Sequence, residues 1–351
     1  MDRLDRMRGC LLLSAAGDAL GYAVEFDRLK EIQKTYGPNG IQSYELSPFD
    51  HKAIFSDDTQ MTLFTAEGLL FASARKDRSE KEYIWLAYMD WLTTQFDDAP
   101  EPFQKCRILD EKRLHHRRAP GNTCLGALKG GVMGTMEEPI NHSKGCGGIM
   151  RIAPCALVHR DRHEAAVSAA EASALTHTHP MGYIPSATMA FILHSIVWEE
   201  ETDMKQIVLD AMHDTEELFP GNAYMPEYMD LMNRAVACAE NSKSDMENIR
   251  ELGEGWVADE AMAIAAYCAM RHPTDASAVL RAAVNHDGDS DSTGAVAGAI
   301  VGAMIGKEAI PAEWTKHLEC RALIEAMADD LFKAAQDPAS LPKMYRSEVI
   351  Q

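Results

Sequence analysis

Phe55-Ser56-Asp57-Asp58-Thr59-Gln60-Met61 sets a hydroxyl and two adjacent carboxylates where an apolar, helix-period pattern begins. A helix start accounts for that much, because a serine can cap it and acids in a first turn complement the helix dipole. The second cluster goes further. In Asn285-His286-Asp287-Gly288-Asp289-Ser290-Asp291-Ser292-Thr293-Gly294, an unbroken run of hydroxyl and carboxylate side chains follows Gly288, more than a cap requires. Hard oxygen donors of this kind suit Mg²⁺, Mn²⁺ or Ca²⁺ rather than zinc. An EF-hand loop competes for Asp287, Asp289 and Asp291 as alternating ligands. It needs Gly at its sixth position and Glu at its twelfth, where this chain has Ser292 and Gly298. If the helices that start at the two clusters pack side by side, Ser56, Asp57, Asp58, Asp289, Asp291 and Ser292 supply one shared site with enough ligands for two metals. Glu25, which follows Gly17-Asp18-Ala19-Leu20-Gly21-Tyr22-Ala23-Val24 on a turn that the glycines are expected to sharpen, is a further candidate ligand or base.

The elements that must position these groups are helical. Apolar residues recur at helix spacing over roughly 2–20, 57–75, 80–96, 122–133, 163–176, 185–199, 203–217, 225–241, 257–271, 275–285, 291–306 and 312–335, and no convincing alternating strand pattern interrupts them. Turn chemistry marks breaks at Gly37-Pro38-Asn39-Gly40, Asp97-Asp98-Ala99-Pro100, Ala119-Pro120-Gly121-Asn122, Gly145-Cys146-Gly147-Gly148 and Phe219-Pro220-Gly221-Asn222. None of these resembles an interdomain linker, so a compact all-α, single-domain chain over 1–351 is expected. Gly294, Gly298, Gly302 and Gly306 recur every fourth residue and share one face of a helix, which invites a neighbouring helix to approach closely. Glycine costs about 1 kcal/mol against alanine inside a helix, so the repeat points to a packing demand at the centre of the fold.

Composition narrows the partners. A chain of 351 residues that is 46% hydrophobic, 25% charged and 7% aromatic is globular in type. Its formal charge of −20 argues against a nucleic-acid partner, which would need a clustered Lys/Arg footprint. The 8 cysteines contain no CxxC pair and read as free thiols in a reducing, cytoplasmic setting. The acid-containing start Met1-Asp2-Arg3-Leu4-Asp5-Arg6 does not read as an export signal. The apolar run Thr293 to Gly306 covers about 14 residues, short of the roughly 20 that span a bilayer, so no membrane association is expected.

Taken in order, Gly17-Asp18-Ala19-Leu20-Gly21 with Glu25, Ser56-Asp57-Asp58-Thr59-Gln60-Met61, Gly145-Cys146-Gly147-Gly148-Ile149-Met150-Arg151, Thr176-His177 and Gly288-Asp289-Ser290-Asp291-Ser292-Thr293-Gly294 resemble the ADP-ribosylglycohydrolase family. The match spans about residues 8–306, and the specificity lies in the series rather than in any one motif. The resemblance implies a compact orthogonal all-α fold with a binuclear Mg²⁺ or Mn²⁺ centre at the bottom of a cleft. It implies Ser56, Asp57, Asp58, Asp289, Asp291 and Ser292 as ligands, with Asp58 or Glu25 orienting or deprotonating the water. The expected chemistry is glycosidic hydrolysis through an oxocarbenium-like state, with metals and carboxylates in place of the usual pair of catalytic acids. ADP-ribose would be the product and an ADP-ribosylated protein the partner.

Asn141-His142-Ser143-Lys144-Gly145-Cys146-Gly147-Gly148 resembles the family loop that wraps the pyrophosphate, where glycine lets backbone N–H groups come close. Many relatives have Asn where this chain has Cys146. Gly121 and Asn122 match a second loop at a helix start, a natural anion site. His177 corresponds to a residue lining the ligand cleft, whereas His179 is read as structural and His115-His116-Arg117-Arg118 as a solvated charged loop. Arginine-linked ADP-ribose is the expected substrate, because Asp289-Ser290-Asp291-Ser292-Thr293 looks closest to the arginine-hydrolase branch. Two other readings stay open: a non-catalytic ADP-ribose binder or toxin-immunity protein, and a different dinuclear hydrolase such as a phosphohydrolase.

Overall fold

The computed structural model describes residues 2–96 and 101–346; the expected break at Asp97-Asp98-Ala99-Pro100 lies outside the described residues. Among the described residues the regular structure is helical, with only isolated β-bridges, in agreement with the all-α expectation. The first helices are α1 (Arg3–Gly21), α2 (Leu29–Tyr36), α3 (Asp57–Ala74), α4 (Glu80–Thr93) and α5 (Asn122–Gly130). The middle of the chain adds α6 (Ala153–Val158), α7 (Arg162–Ala174), α8 (Pro180–Val197), α9 (Met204–Leu218), α10 (Met225–Glu240) and α11 (Asp245–Leu252). There follow α12 (Ala258–Arg271), α13 (Ala276–Val284), α14 (Ser290–Ile305), α15 (Ala312–Thr315), α16 (Arg321–Gln336) and α17 (Lys343–Arg346).

Several boundaries follow from capping. Ser56, Asp161, Asp203, Ser244, Asp275 and Asp289 each accept a first-turn backbone N–H at the start of α3, α7, α9, α11, α13 and α14. The helix expected over 122–133 stops at Gly130 because Gly131 takes a left-handed φ of 68° and closes the last turn. The helix expected from 185 starts earlier: His179 caps it, Pro180 takes its first position, and Pro185 is carried inside. The stretch 312–335 is two helices, not one, with Cys320 at φ 49° where α16 begins. Four helices were not anticipated, α2, α6, α11 and α17, with 8, 6, 8 and 4 residues, too short to show a period.

The centre is the pair α1 and α14, and the glycine repeat explains how close they come. A Cβ on Gly17 would lie 2.0 Å from the Gly294 carbonyl oxygen, one on Gly298 2.2 Å from that of Leu13, and one on Gly9 2.3 Å from that of Gly302. Gly17 and Gly21 therefore serve helix packing rather than a turn, because α1 continues through Gly21. Every residue of α14 is buried, and α3, α8, α12, α13 and α16 pack around the pair. Backbone contact along this axis sets the end of α1 directly against the start of α14: a Cβ on Gly21 would meet the Ser290 carbonyl oxygen at 2.3 Å.

Candidate functional site

Two helix starts and the turn after α1 converge on one cavity of about 190 Å³. Its lining includes Glu25, Asp57, Asp58, Asp289, Asp291 and Ser292, together with Gly121, Asn122, Thr123, Cys124, Gly145, Cys146, Gly147, His177 and Trp256. Of the residues expected from sequence, Ser56, Ser143, Lys144 and Gly148 stand outside this lining. The Ser56 hydroxyl accepts the Asp58 N–H at 3.2 Å, a capping bond. Ser143 accepts the Gly145 N–H at 3.3 Å, Lys144 pairs with Asp259 at 3.1 Å, and a Cβ on Gly148 would strike the Ser173 hydroxyl at 2.1 Å.

The acidic end is held by backbone groups. Asp57 accepts the Gly121 N–H through Oδ2 at 3.3 Å while its own N–H donates to the Arg118 carbonyl at 3.1 Å. Asp289 caps α14 by accepting the Ser292 N–H at 3.2 Å, and its own N–H donates to the Glu254 carbonyl at 2.8 Å. One carboxylate oxygen each from Glu25, Asp289 and Asp291 lies within 4.8 Å of the others. Glu25 Oε2 and Asp58 Oδ2 are buried without a hydrogen-bond partner. Burial drives the Asp57, Asp58 and Asp291 carboxyls well above the usual range, and repulsion among the acids adds to it. Burial also pushes Glu25 up to about 9, with Asp289, Asp57 and Asp18 contributing. Carboxylates this crowded, two of them with an orphaned oxygen aimed into the cavity, are a donor set that fits hard divalent cations.

Behind them lies a layer that sequence reasoning passed over. Asp18, fully buried in α1, accepts the Ser56 N–H at 2.8 Å through Oδ1 and both the N–H and hydroxyl of Thr59 at 2.9 and 2.5 Å through Oδ2. It fixes the turn that carries Asp57 and Asp58. Arg118 is not in a solvated loop: it is buried, donates to the Phe55 carbonyl at 3.0 Å and forms an ion pair with Glu319. The hydrophobic surroundings of Phe55 and the facing acid, 201 positions away, left no local signal for that pairing.

Beside the glycine loop, His177 is held by a polar chain. Arg151 Nη2 donates to the Thr176 hydroxyl at 2.6 Å, and that hydroxyl lies 2.8 Å from His177 Nδ1. Burial and the Arg151 charge lower His177 to about 3, so its ring is neutral at physiological pH. Its Nε2 faces the glycine loop, 3.4 Å from where a Cβ on Gly145 would stand. His179 is structural, its Nδ1 accepting the Met181 N–H at 3.1 Å. Cys146 donates its thiol to Asp289 Oδ2 at 2.6 Å, and burial keeps that thiol protonated by raising it well above its ordinary value. The 8 cysteines are all free.

An all-α fold with a buried cluster of carboxylates gathered beside a glycine loop defines a class of α-helical proteins suited to hold hard divalent cations. Residues 1–340 match the sequence profile of the ADP-ribosylglycohydrolase family, and the chain belongs to that family of enzymes. It is 26% identical to the ADP-ribosylhydrolase ARH3 of Mus musculus, covering 95% of this chain and 93% of the relative. It is likewise 26% identical to the ADP-ribosyl-(dinitrogen reductase) glycohydrolase of Rhodospirillum rubrum, with 90% and 91% covered. A solved structure described as an ADP-ribosylglycohydrolase-related protein complex superposes with a TM-score of 0.67 at 24% identity, covering 95% of this chain and 99% of that one, a likeness of fold. Among the described residues no helix is long and apolar enough to cross a membrane.

Proposed function

We propose that the chain acts as one domain in the cytoplasm to remove ADP-ribose from modified protein side chains, with arginine-linked ADP-ribose as substrate and two divalent cations, Mg²⁺ or Mn²⁺, as cofactors. The observation that carries this reading is the pair of buried, unpartnered carboxylate oxygens of Glu25 and Asp58 in the cavity that also holds the Gly145 loop and His177. Ser56, Asp57, Asp58, Asp289, Asp291 and Ser292, with Glu25 beside them, would hold the cations, and Ser56 also caps the turn that carries Asp57 and Asp58. When bound, the cations supply Lewis acidity toward ribose hydroxyls and water.

The rest of the chemistry belongs to the chain. The α5 start at Asn122 and Thr123 offers N–H groups to the pyrophosphate, and the Gly147 backbone comes close because a Cβ there would press on Cys124 Sγ at 2.9 Å and on His177 at 3.0 Å. Neutral His177 donates or accepts a hydrogen bond without adding charge. Glu25 or Asp58 orients the attacking water at the anomeric carbon and takes its proton, while the carbon–nitrogen bond breaks and the charged guanidinium leaves with the bonding pair as neutral guanidine.

The test is incubation with arginine-, serine- and acyl-linked ADP-ribose in Mg²⁺ or Mn²⁺ and then in chelator. Release of ADP-ribose from the arginine linkage, lost on chelation, is expected. No cleavage of any linkage, or cleavage indifferent to chelator, refutes the reading. ADP-ribose binding that survives Asp57→Ala with Asp58→Ala, in a protein whose wild type shows no turnover, would identify a binder instead.

A further inference from the structure

Phe26 and Trp256 stand at the rim of the acidic cavity, 73% and 39% exposed, and stack on each other with ring centroids 6.3 Å apart and planes 22° from parallel. Single exposed apolar side chains are ordinary, but a stacked pair beside a reacting centre is not. The segments that carry them are also joined by the Arg28–Glu254 ion pair at 2.7 Å, across 226 positions.

The indole is fixed at the acidic end. Its backbone carbonyl accepts the Cys146 N–H at 3.1 Å, and the neighbouring Glu254 carbonyl accepts the Asp289 N–H at 2.8 Å. Gly255 between them has φ +81°, and a Cβ there would press on Thr293 at 2.7 Å. Phe26 directly follows Glu25. Through Phe26 beside Glu25 and through the Glu254 bond to Asp289, the aromatic pair borders the acidic end of the cavity, where the bond to the modified side chain would be cut.

The charge around it selects the occupant. Glu25 and Asp289 line the same cavity as Trp256, and Glu254 stands two residues before it. Arg28 and Lys144, the cations of this rim, are each held by a carboxylate, Glu254 and Asp259. A planar cation over an indole face with carboxylates around it is a favourable arrangement.

We propose that Trp256, backed by Phe26, is the surface that recognises the guanidinium of the modified arginine. This rests on the arginine-linked reading of the site. Trp256→Leu is expected to lower kcat/KM for an arginine-linked substrate about tenfold, the size of one partly desolvated cation–π contact. Trp256→Phe retains a ring and gives an intermediate loss, and Phe26→Ala gives a smaller one. Free ADP-ribose has no side chain to stack, so its calorimetric Kd stays within about twofold of wild type. A parallel loss of ADP-ribose affinity means that the ring holds the adenine and overturns the assignment. So does an unchanged kcat/KM in Trp256→Leu while the wild type cleaves the arginine linkage. A wild type that leaves the arginine linkage intact and cleaves another refutes the underlying reading as well.

Discussion

Replacing Gly17 with alanine tests whether the α1 and α14 contact is what holds the acidic clusters together. The added Cβ would sit 2.0 Å from the Gly294 carbonyl oxygen and 2.4 Å from its carbon, both backbone atoms that cannot swing aside. The two helices must part, and overpacking of this kind costs about 3 kcal/mol at the upper end of its usual range. Alanine's better helix propensity returns about 1 kcal/mol, leaving a net loss near 2 kcal/mol. Gly126→Ala is the control: it lies inside α5 with open space around its Cβ position, so it gains at most about 1 kcal/mol. Urea unfolding in chelator, with unchanged m, should therefore separate the two variants by about 3 kcal/mol. Calorimetric Mn²⁺ binding should weaken in Gly17→Ala, because Asp18 moves with its neighbour and releases Ser56 and Thr59. Equal unfolding midpoints for Gly17→Ala and Gly126→Ala would show that the glycine face is not a packing requirement.

Three further outcomes follow from the same structure. Asp291→Asn removes one of several mutually repelling buried carboxylates, so it should raise Tm in chelator and abolish the additional rise that Mg²⁺ or Mn²⁺ gives the wild type, read by scanning calorimetry. Arg118→Met leaves Glu319 buried without its partner and should cost about 3–5 kcal/mol, most of it restored by adding Glu319→Leu, as measured by denaturant unfolding. Burial pushes Glu67 up to about 7 although Tyr345 and Arg107 bond to it, so the folded chain holds this proton more tightly than the unfolded one. Its contribution is fully present below the ordinary glutamate range and is lost as pH rises through about 7; Glu67→Gln should flatten that fall in a series of unfolding curves between pH 5 and 8.

The helical class and the two acidic helix starts were legible because both are written locally, in a 3.6-residue period and in side chains adjacent along the chain. Ser56 shows the limit of that reading: as a cap and as a ligand it presents the same letters, and the bond the fold displays is the capping one. Asp18 was hidden for a different reason. It looked like part of a glycine turn, whereas the glycines on either side answer to carbonyls of α14, far along the chain. Arg118 was read from its basic neighbours as solvated, but its partner Glu319 arrives from beyond α15. Trp256 carried no motif at all, and only its backbone bond to Cys146 assigns it to the cavity rim.

The helix that bears Asp18 is made early and its partner very late. Arg6 donates to the Ala303 and Met304 carbonyls across 297 and 298 positions, and the glycine contacts between them span similar distances. At about 5–20 residues per second, α1 waits on the order of 15 to 60 s on the ribosome before α14 exists. Throughout that interval Asp57 and Asp58 are present while Asp289 and Asp291 are not. A chain that stops before α14 therefore carries Asp57 and Asp58 without the carboxylates that stand beside them in the folded cavity.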